Sequence, residues 1–202
     1  MESDNSTVNL QSFRQKLFHY RSYTPIPFLI VMVVFARPEL RTMLFGGILA
    51  VMGEFLRYWG VAYAGSLTRV TGGVGAPEVI VSGPFARVRN PLYLGNIFLY
   101  VGIGFMSNAL FPWLIVVAAF YFVFQYYQIV ILEEGFLRQS FGDAYDHFAD
   151  NVPRFLPRLT PFHDVAQAHQ RPDWRGAVRS EKRTLQAFSL VLILLVVIWL
   201  NR

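Results

Sequence analysis

Apolar side chains in this chain fall into five blocks, each bounded by polar or turn-forming residues. The first, Tyr23–Ala36, has Pro25 and Pro27 near its start, where a helix tolerates proline. It is short against the roughly 20 residues a helix needs to cross a bilayer. Arg37-Pro38-Glu39 turns the chain into the second block, Met43–Gly65, which carries Glu54 and Arg57 on neighbouring parts of one helical face. Residues 66–81 connect onward and include Gly72-Gly73-Val74-Gly75. Pro77 and the missing third glycine argue against a phosphate cradle there and for a flexible connector. Glu78-Val79-Ile80-Val81 is a short extended apolar piece. The third block is Leu92–Met106, turned at Ser107-Asn108; the fourth, Phe111–Leu132, is the longest unbroken one and ends in Glu133-Glu134. Beyond it, Phe136, Leu137, Phe141, Tyr145 and Phe148 recur at roughly helical spacing, which predicts an amphipathic helix at the membrane surface or packed on a bundle. Pro153 and Pro157 stop that helix. Residues 163–183 are charged and read as a mobile or surface linker; Leu185–Leu200 is a fifth, uncharged block that reads as a terminal span.

This pattern predicts an all-α integral membrane bundle of about five transmembrane helices, one multi-pass domain over residues 1–202. Composition agrees: 54% of residues are hydrophobic and only 15% charged, against about 25% charged in soluble domains. The net charge of +5 would suggest nucleic acid in a soluble protein. Here the basic residues lie between apolar blocks, so anionic lipid head groups are the expected partners and nucleic acid is not. There is no cysteine, which removes disulfides, zinc–thiolate sites and thiol nucleophiles. Met1–Ser12 is polar and partly acidic, unlike a cleavable signal peptide. His147, His163 and His169 have no ligand spacing and read as surface residues, so no metal site is expected. Placing the N-terminus, the loop at 65–91 and residues 133–183 on one side gathers 14 of the 18 basic residues there. The positive-inside rule then puts that side in the cytoplasm.

Two stretches carry chemistry, and that orientation brings them to one membrane face. Ser82–Asn96 packs Arg87 and Arg89 between the turn signals Gly83-Pro84 and Asn90-Pro91, just before an apolar helix. As a loop it anchors a helix; as a site it sits where a helix N-terminus favours an anion. Glu133-Glu134 closes the fourth block and reads either as a solvated helix continuation or as part of a site, the first being less comfortable because negative charge at a helix C-terminus is unfavourable. Glu54 and Arg57 fall inside a span, where charges face the protein interior; they read either as a packing ion pair or as part of a site. Tyr93 and Tyr145 read either as interface-belt aromatics or as site residues.

Gly83-Pro-Phe-Ala-Arg-Val-Arg-Asn-Pro-Leu-Tyr-Leu-Gly95 resembles the G-x-Y-x-x-x-R-H-P-x-Y-x-G signature of the isoprenylcysteine carboxyl methyltransferase and phospholipid methyltransferase superfamily. Glu133-Glu134, Leu137, Phe141-Gly142, Tyr145 and Val152-Pro-Arg-Phe-Leu-Pro157 match its second half, so the resemblance covers roughly residues 77–158. It implies a membrane enzyme that uses S-adenosyl-L-methionine to methylate a lipid-like substrate, with a cofactor-binding core at 77–158, a polar segment 1–22 before it, a polar linker 159–183 and a terminal helix 184–202. It implies a cytoplasmic site in a bacterial inner membrane or its equivalent. By motif position the cofactor pocket draws on Glu78, Val79, Ile80, Phe85, Arg89, Asn90, Pro91, Leu92, Tyr93, Glu134 and Tyr145. Glu133 and Arg154 take the catalytic positions, with Arg154 closing the site. The chemistry is coherent: aromatic faces suit a sulfonium, a glutamate suits an ammonium, and an arginine suits a carboxylate through paired hydrogen bonds.

Three positions depart from the pattern. Asn90 replaces the motif histidine and cannot take a proton. Phe85 replaces the motif tyrosine and lacks its hydroxyl. Ile129 stands where carboxyl methyltransferases carry an arginine for the prenylcysteine carboxylate, which argues against that substrate unless Arg57 or Arg138 substitutes, and favours an amine head group or another lipid nucleophile. Two alternatives stay open at this point: an NADPH-dependent membrane reductase of the sterol type, and a non-catalytic membrane subunit that keeps the fold.

Overall fold

The computed structural model describes residues 2–65 and 77–201, with side chains from residue 9; the glycine-rich connector at 72–75 lies outside the described residues. Among the described residues seven α-helices follow in order: α1 Glu2–Tyr20, α2 Pro25–Val34, α3 Leu40–Ala64, α4 Pro91–Ser107, α5 Trp113–Phe141, α6 Asp143–Asn151 and α7 Trp174–Leu200. Single 3₁₀ turns sit at Gly83–Ala86 and Val165–Ala168.

Three of these helices, α3, α5 and α7, are long and apolar enough to cross a membrane by themselves. The short first block becomes a fourth candidate by joining the end of α1: Asn9–Tyr20 and Pro25–Val34 together pass the same test, with a bend of 51° between them. The fifth apolar segment, α4, is a shorter helix of 17 residues.

α3 turns an all-helical apolar sequence into two faces. Leu44, Ile48, Val51 and Phe55 form one stripe, each about 60% exposed. Gly46, Ala50, Gly53 and Gly60 form the buried one. Large side chains outward and small ones inward is the arrangement expected where lipid is the solvent and helices associate by close backbone approach. Gly95 and Gly102 of α4 supply the matching face: a Cβ on Gly53 would meet the Gly95 carbonyl and Leu99 amide, and one on Gly102 would meet Ala50 and the Gly46 carbonyl. Aromatic contacts then join α4 to α5, with Tyr100 against Phe122 at 4.5 Å and Tyr93 stacked on Tyr126 at 4.8 Å between ring centroids. Thr24 donates to Gln125 and Arg14 to Gln128, tying the bent α1–α2 pair to α5.

Two elements differ from the sequence reading. α5 does not end at Glu133-Glu134; it runs to Phe141 and breaks at Gly142, whose φ of +51° suits glycine. At about 1.5 Å per residue it is roughly 43 Å long, against a hydrocarbon core of about 30 Å, so its acidic end projects to the membrane edge. The expected linker is also partly helical. Asp173 caps α7 by accepting from the Gly176 amide at 2.9 Å, which starts the helix well before the apolar block and buries Ala177 and Glu181 against α3.

The glycine interface yields a direct prediction. Gly102→Val forces α3 and α4 apart and should cost about 1–3 kcal/mol or more, read as a lowered Tm in detergent. Gly47→Val, at a position with nothing within 4 Å of its Cβ, should leave Tm nearly unchanged. Equal effects would contradict the interface.

Candidate functional site: an arginine clamp beside a membrane cavity

The two chemistry-bearing stretches meet at Glu134. Its side chain is 3% exposed and lies among three arginines. Arg154 donates to both oxygens, from Nε at 2.9 Å and from an Nη at 2.6 Å. Arg89 approaches Oε1 at 3.1 Å, and Arg138 approaches Oε2 at 3.7 Å. The hydrogen bonds that Arg154 donates to Glu134 raise the Arg154 pKa above its ordinary value. Main-chain bonds lay the arginine turn against the proline-rich segment: the Arg89 amide donates to Pro153, the Arg158 amide to Arg87 and the Phe162 amide to Ala86. Arg89 also donates to the Ala149 carbonyl, and Arg87 to the Leu159 carbonyl. Underneath, Phe85, Tyr145, Phe148, Val152 and Phe162 form a small apolar core of their own. Burial pushes the Tyr145 phenol above its ordinary pKa, keeping it neutral.

Above this clamp lies a cavity of about 900 Å³, within the range of small-molecule sites. Glu78, Val79, Ile80, Phe85, Arg89, Asn90, Leu92, Tyr93, Glu133, Glu134 and Tyr145 all line it. The sequence reading thus converges on one space. Within it the roles divide. Tyr93 donates to Glu133 at 2.6 Å, engaging one carboxylate oxygen. Both oxygens of Glu134 are taken by arginines, so of the acidic pair Glu133 is the one left open to a ligand. Asn90 spends its side chain on the Arg154 carbonyl at 3.1 Å, bracing the turn. Two expected residues do not line the cavity: Pro91 is buried at the first position of α4, and Arg154 grips Glu134 from outside, its guanidinium over the Tyr127 ring.

The cavity also reaches a polar chain that sequence reasoning found only in part. Arg57 donates to both oxygens of Glu181 at 2.8 and 3.0 Å and to Asn96, with Glu54 farther off at 3.7 Å. The in-span charge at Arg57 was visible in the sequence; its main partner, 124 residues away on α7, had no local signal. Gln167 and Gln170 were also missed. Gln170 is buried, accepts from the Val81 amide at 2.9 Å and donates to the Val79 carbonyl and Glu78, holding the 78–81 piece extended. Of the two arginines that could stand in for the missing one, Arg57 lines the cavity and Arg138 does not. Ile129 itself is fully buried in the bundle core.

A helical membrane bundle with a polar, arginine-braced cavity at one end defines the class. The chain matches the phospholipid methyltransferase family over residues 41–144, just over half its length, and belongs to that family. It is 32% identical over 85 residues to the nickel-cobalt-cadmium resistance protein NccN of Alcaligenes xylosoxydans xylosoxydans, covering 42% of this chain and 38% of that protein. It is likewise 32% identical over 82 residues to the cobalt-zinc-cadmium resistance protein CzcN of Cupriavidus metallidurans, covering 41% of this chain and 37% of that protein. The matched stretches therefore span well under half the length of these relatives. No solved structure gives a significant match.

The division of labour between the adjacent acids can be measured. Glu134→Gln leaves buried Arg89 without its counter-charge and should cost about 3–5 kcal/mol of folding stability. Glu133→Gln loses part of one hydrogen bond to a neutral phenol and should cost about 1 kcal/mol. Chemical denaturation of both variants in detergent checks this; the reverse order would contradict the clamp.

Proposed function

We propose that this protein transfers a methyl group from S-adenosyl-L-methionine to a lipid-type acceptor, at the cytoplasmic end of the bundle. Membership of a methyltransferase family supports the reaction class. The observation that carries the cofactor reading is Arg89: it lines the cavity, and its Nε is buried without a hydrogen-bond partner. A buried unmet donor on a guanidinium suits a carboxylate, and the amino-acid end of this cofactor carries one. The rest of the donor set fits as well. Glu78 suits the ammonium or ribose hydroxyls, and Phe85 and Tyr93 offer aromatic faces to a sulfonium. Val79, Ile80 and Leu92 give apolar contact to a flat ring.

When bound, the cofactor supplies an electrophilic methyl whose sulfonium leaves as a neutral thioether. The protein's own part is alignment, since an in-line displacement gains most from positioning. The Tyr93–Tyr126 stack fixes the ring that orients Glu133. The Glu133 carboxylate, which lines the cavity, is placed to take a proton from an acceptor that carries one. Ile26, Leu29, Phe188 and Val191 line the far part of the cavity and suit a hydrocarbon chain. The relatives' names refer to metal resistance; among the described residues no group of three or more His, Cys, Asp or Glu could hold a metal ion. The family reading therefore stands ahead of one built on direct metal capture.

Calorimetry on purified protein should detect S-adenosylhomocysteine binding. Glu133→Gln should keep that binding within about threefold while lowering methyl transfer to lipid extract by roughly 10²–10⁴-fold, the usual contribution of a general base. No binding of either cofactor form, with NADPH raising the Tm instead, would overturn the proposal.

A further inference from the structure

A second pocket, of about 380 Å³, lies on the other side of the arginine turn. Among the described residues its ionisable lining is Arg87, His163, Arg171 and the phenol of Tyr63, with no carboxylate. We propose that it holds the phosphate of an anionic phospholipid head group. Three independent observations point there. First, Ser82 lines the pocket, is 5% exposed, and its hydroxyl is buried without a hydrogen-bond partner. A buried hydroxyl left unmet beside two arginines matches a phosphate oxygen, which accepts several charge-assisted bonds.

Second, the wall is rigid. Gly83 adopts a φ of +61°, and a Cβ there would collide with the Tyr63 ring, so the end of α3 and the turn close on each other. Arg87 is held by the carbonyls of Arg158 and Leu159, which fixes its stem and leaves the rest of the fork for a ligand.

Third, the surroundings place the opening at the bilayer interface. Leu156, Leu159 and Val165 are 81%, 93% and 90% exposed, on the same segment that carries the pocket rim. Apolar side chains so bare beside a membrane helix end fit the headgroup–acyl boundary. Trp59, also lining the pocket, lies in the last turns of the α3 span, where interface aromatics concentrate. A basic pocket at that depth meets phospholipid phosphate at high local concentration. Tyr63 and Arg171 line both this pocket and the larger cavity, so head-group binding braces the wall between them. The assignment does not rest on the cofactor reading, and its test omits the cofactor.

The full chain is placed in nanodiscs of phosphatidylcholine alone or mixed with phosphatidylglycerol, and its Tm is read. Phosphatidylglycerol should raise Tm by about 2–4 °C. Arg171→Gln and Ser82→Ala should each remove at least half of that shift. Arg179→Gln, an exposed arginine outside the pocket, should keep it. In a parallel arm inorganic phosphate is added to phosphatidylcholine discs. A shift with phosphatidylglycerol only supports a lipid source; an equal shift with phosphate alone, abolished by the same variants, supports the site with a soluble source. No shift in either arm, or shifts that survive Arg171→Gln and Ser82→Ala as they do Arg179→Gln, would overturn the proposal.

Discussion

One carboxylate holds the functional end of this molecule together. Glu134, on the projecting end of α5, takes hydrogen bonds from Arg154 and close ion pairs from Arg89 and Arg138. Two segments outside that helix, the arginine turn through Arg89 and the proline-rich segment through Arg154, are bolted to it through this carboxylate. A lone buried carboxylate would be prohibitively costly, and so would two uncompensated guanidinium groups; the cluster persists because each removes the desolvation penalty of the others. The cavity is a consequence. With the arginine turn and the proline-rich segment pulled onto α5, Glu78–Ile80 and Phe85 face Tyr93 and Glu133 across an open space.

The bundle provides the frame for this clamp by a different means. Glycines at the α3–α4 contact bring two backbones together without a hydrophobic driving force, because lipid is as apolar as the side chains it would displace. Close approach also shortens the distance between Arg57 on α3 and Asn96 on α4, and α7 contributes Glu181 to the same charge. An arginine within a span is tolerable only with such partners. The buried polar chain that results runs beside the cavity, so the same contacts that stabilise the membrane part give the cavity its polar depth.

Much of this was legible in the sequence, and the exceptions are instructive. The motif turn announced itself through Gly83, Pro84, Asn90 and Pro91, residues whose backbone restrictions act locally. The acidic pair at the end of an apolar block was expected at the pocket, and both residues line the cavity, although the helix-end argument against a solvated role does not apply because α5 continues past them. The end of α5 was misplaced because two glutamates end an apolar block without ending a helix; glutamate and arginine are good helix formers, and the real stop is Gly142. The start of α7 carried a usable sign in Asp173, whose side chain caps the helix. α1 carried one in Leu10, Phe13, Leu17 and Phe18, spaced for one helical face. By contrast, the pairing of Arg57 with Glu181, and the use of Gln170 as a main-chain substitute for the 78–81 piece, depend on tertiary proximity alone. No pattern in sequence spacing encodes them.

The central claim is that Arg89 and Glu134, separated along the chain, form one buried electrostatic unit on which the cavity is built. A double-mutant cycle with Arg89→Gln, Glu134→Gln and the double variant, read as unfolding free energy in a fixed detergent, tests it most directly. A coupling energy of about 1.5–3 kcal/mol, the upper part of the range for contacting residues, is predicted. Additive effects, with coupling near zero, would contradict it.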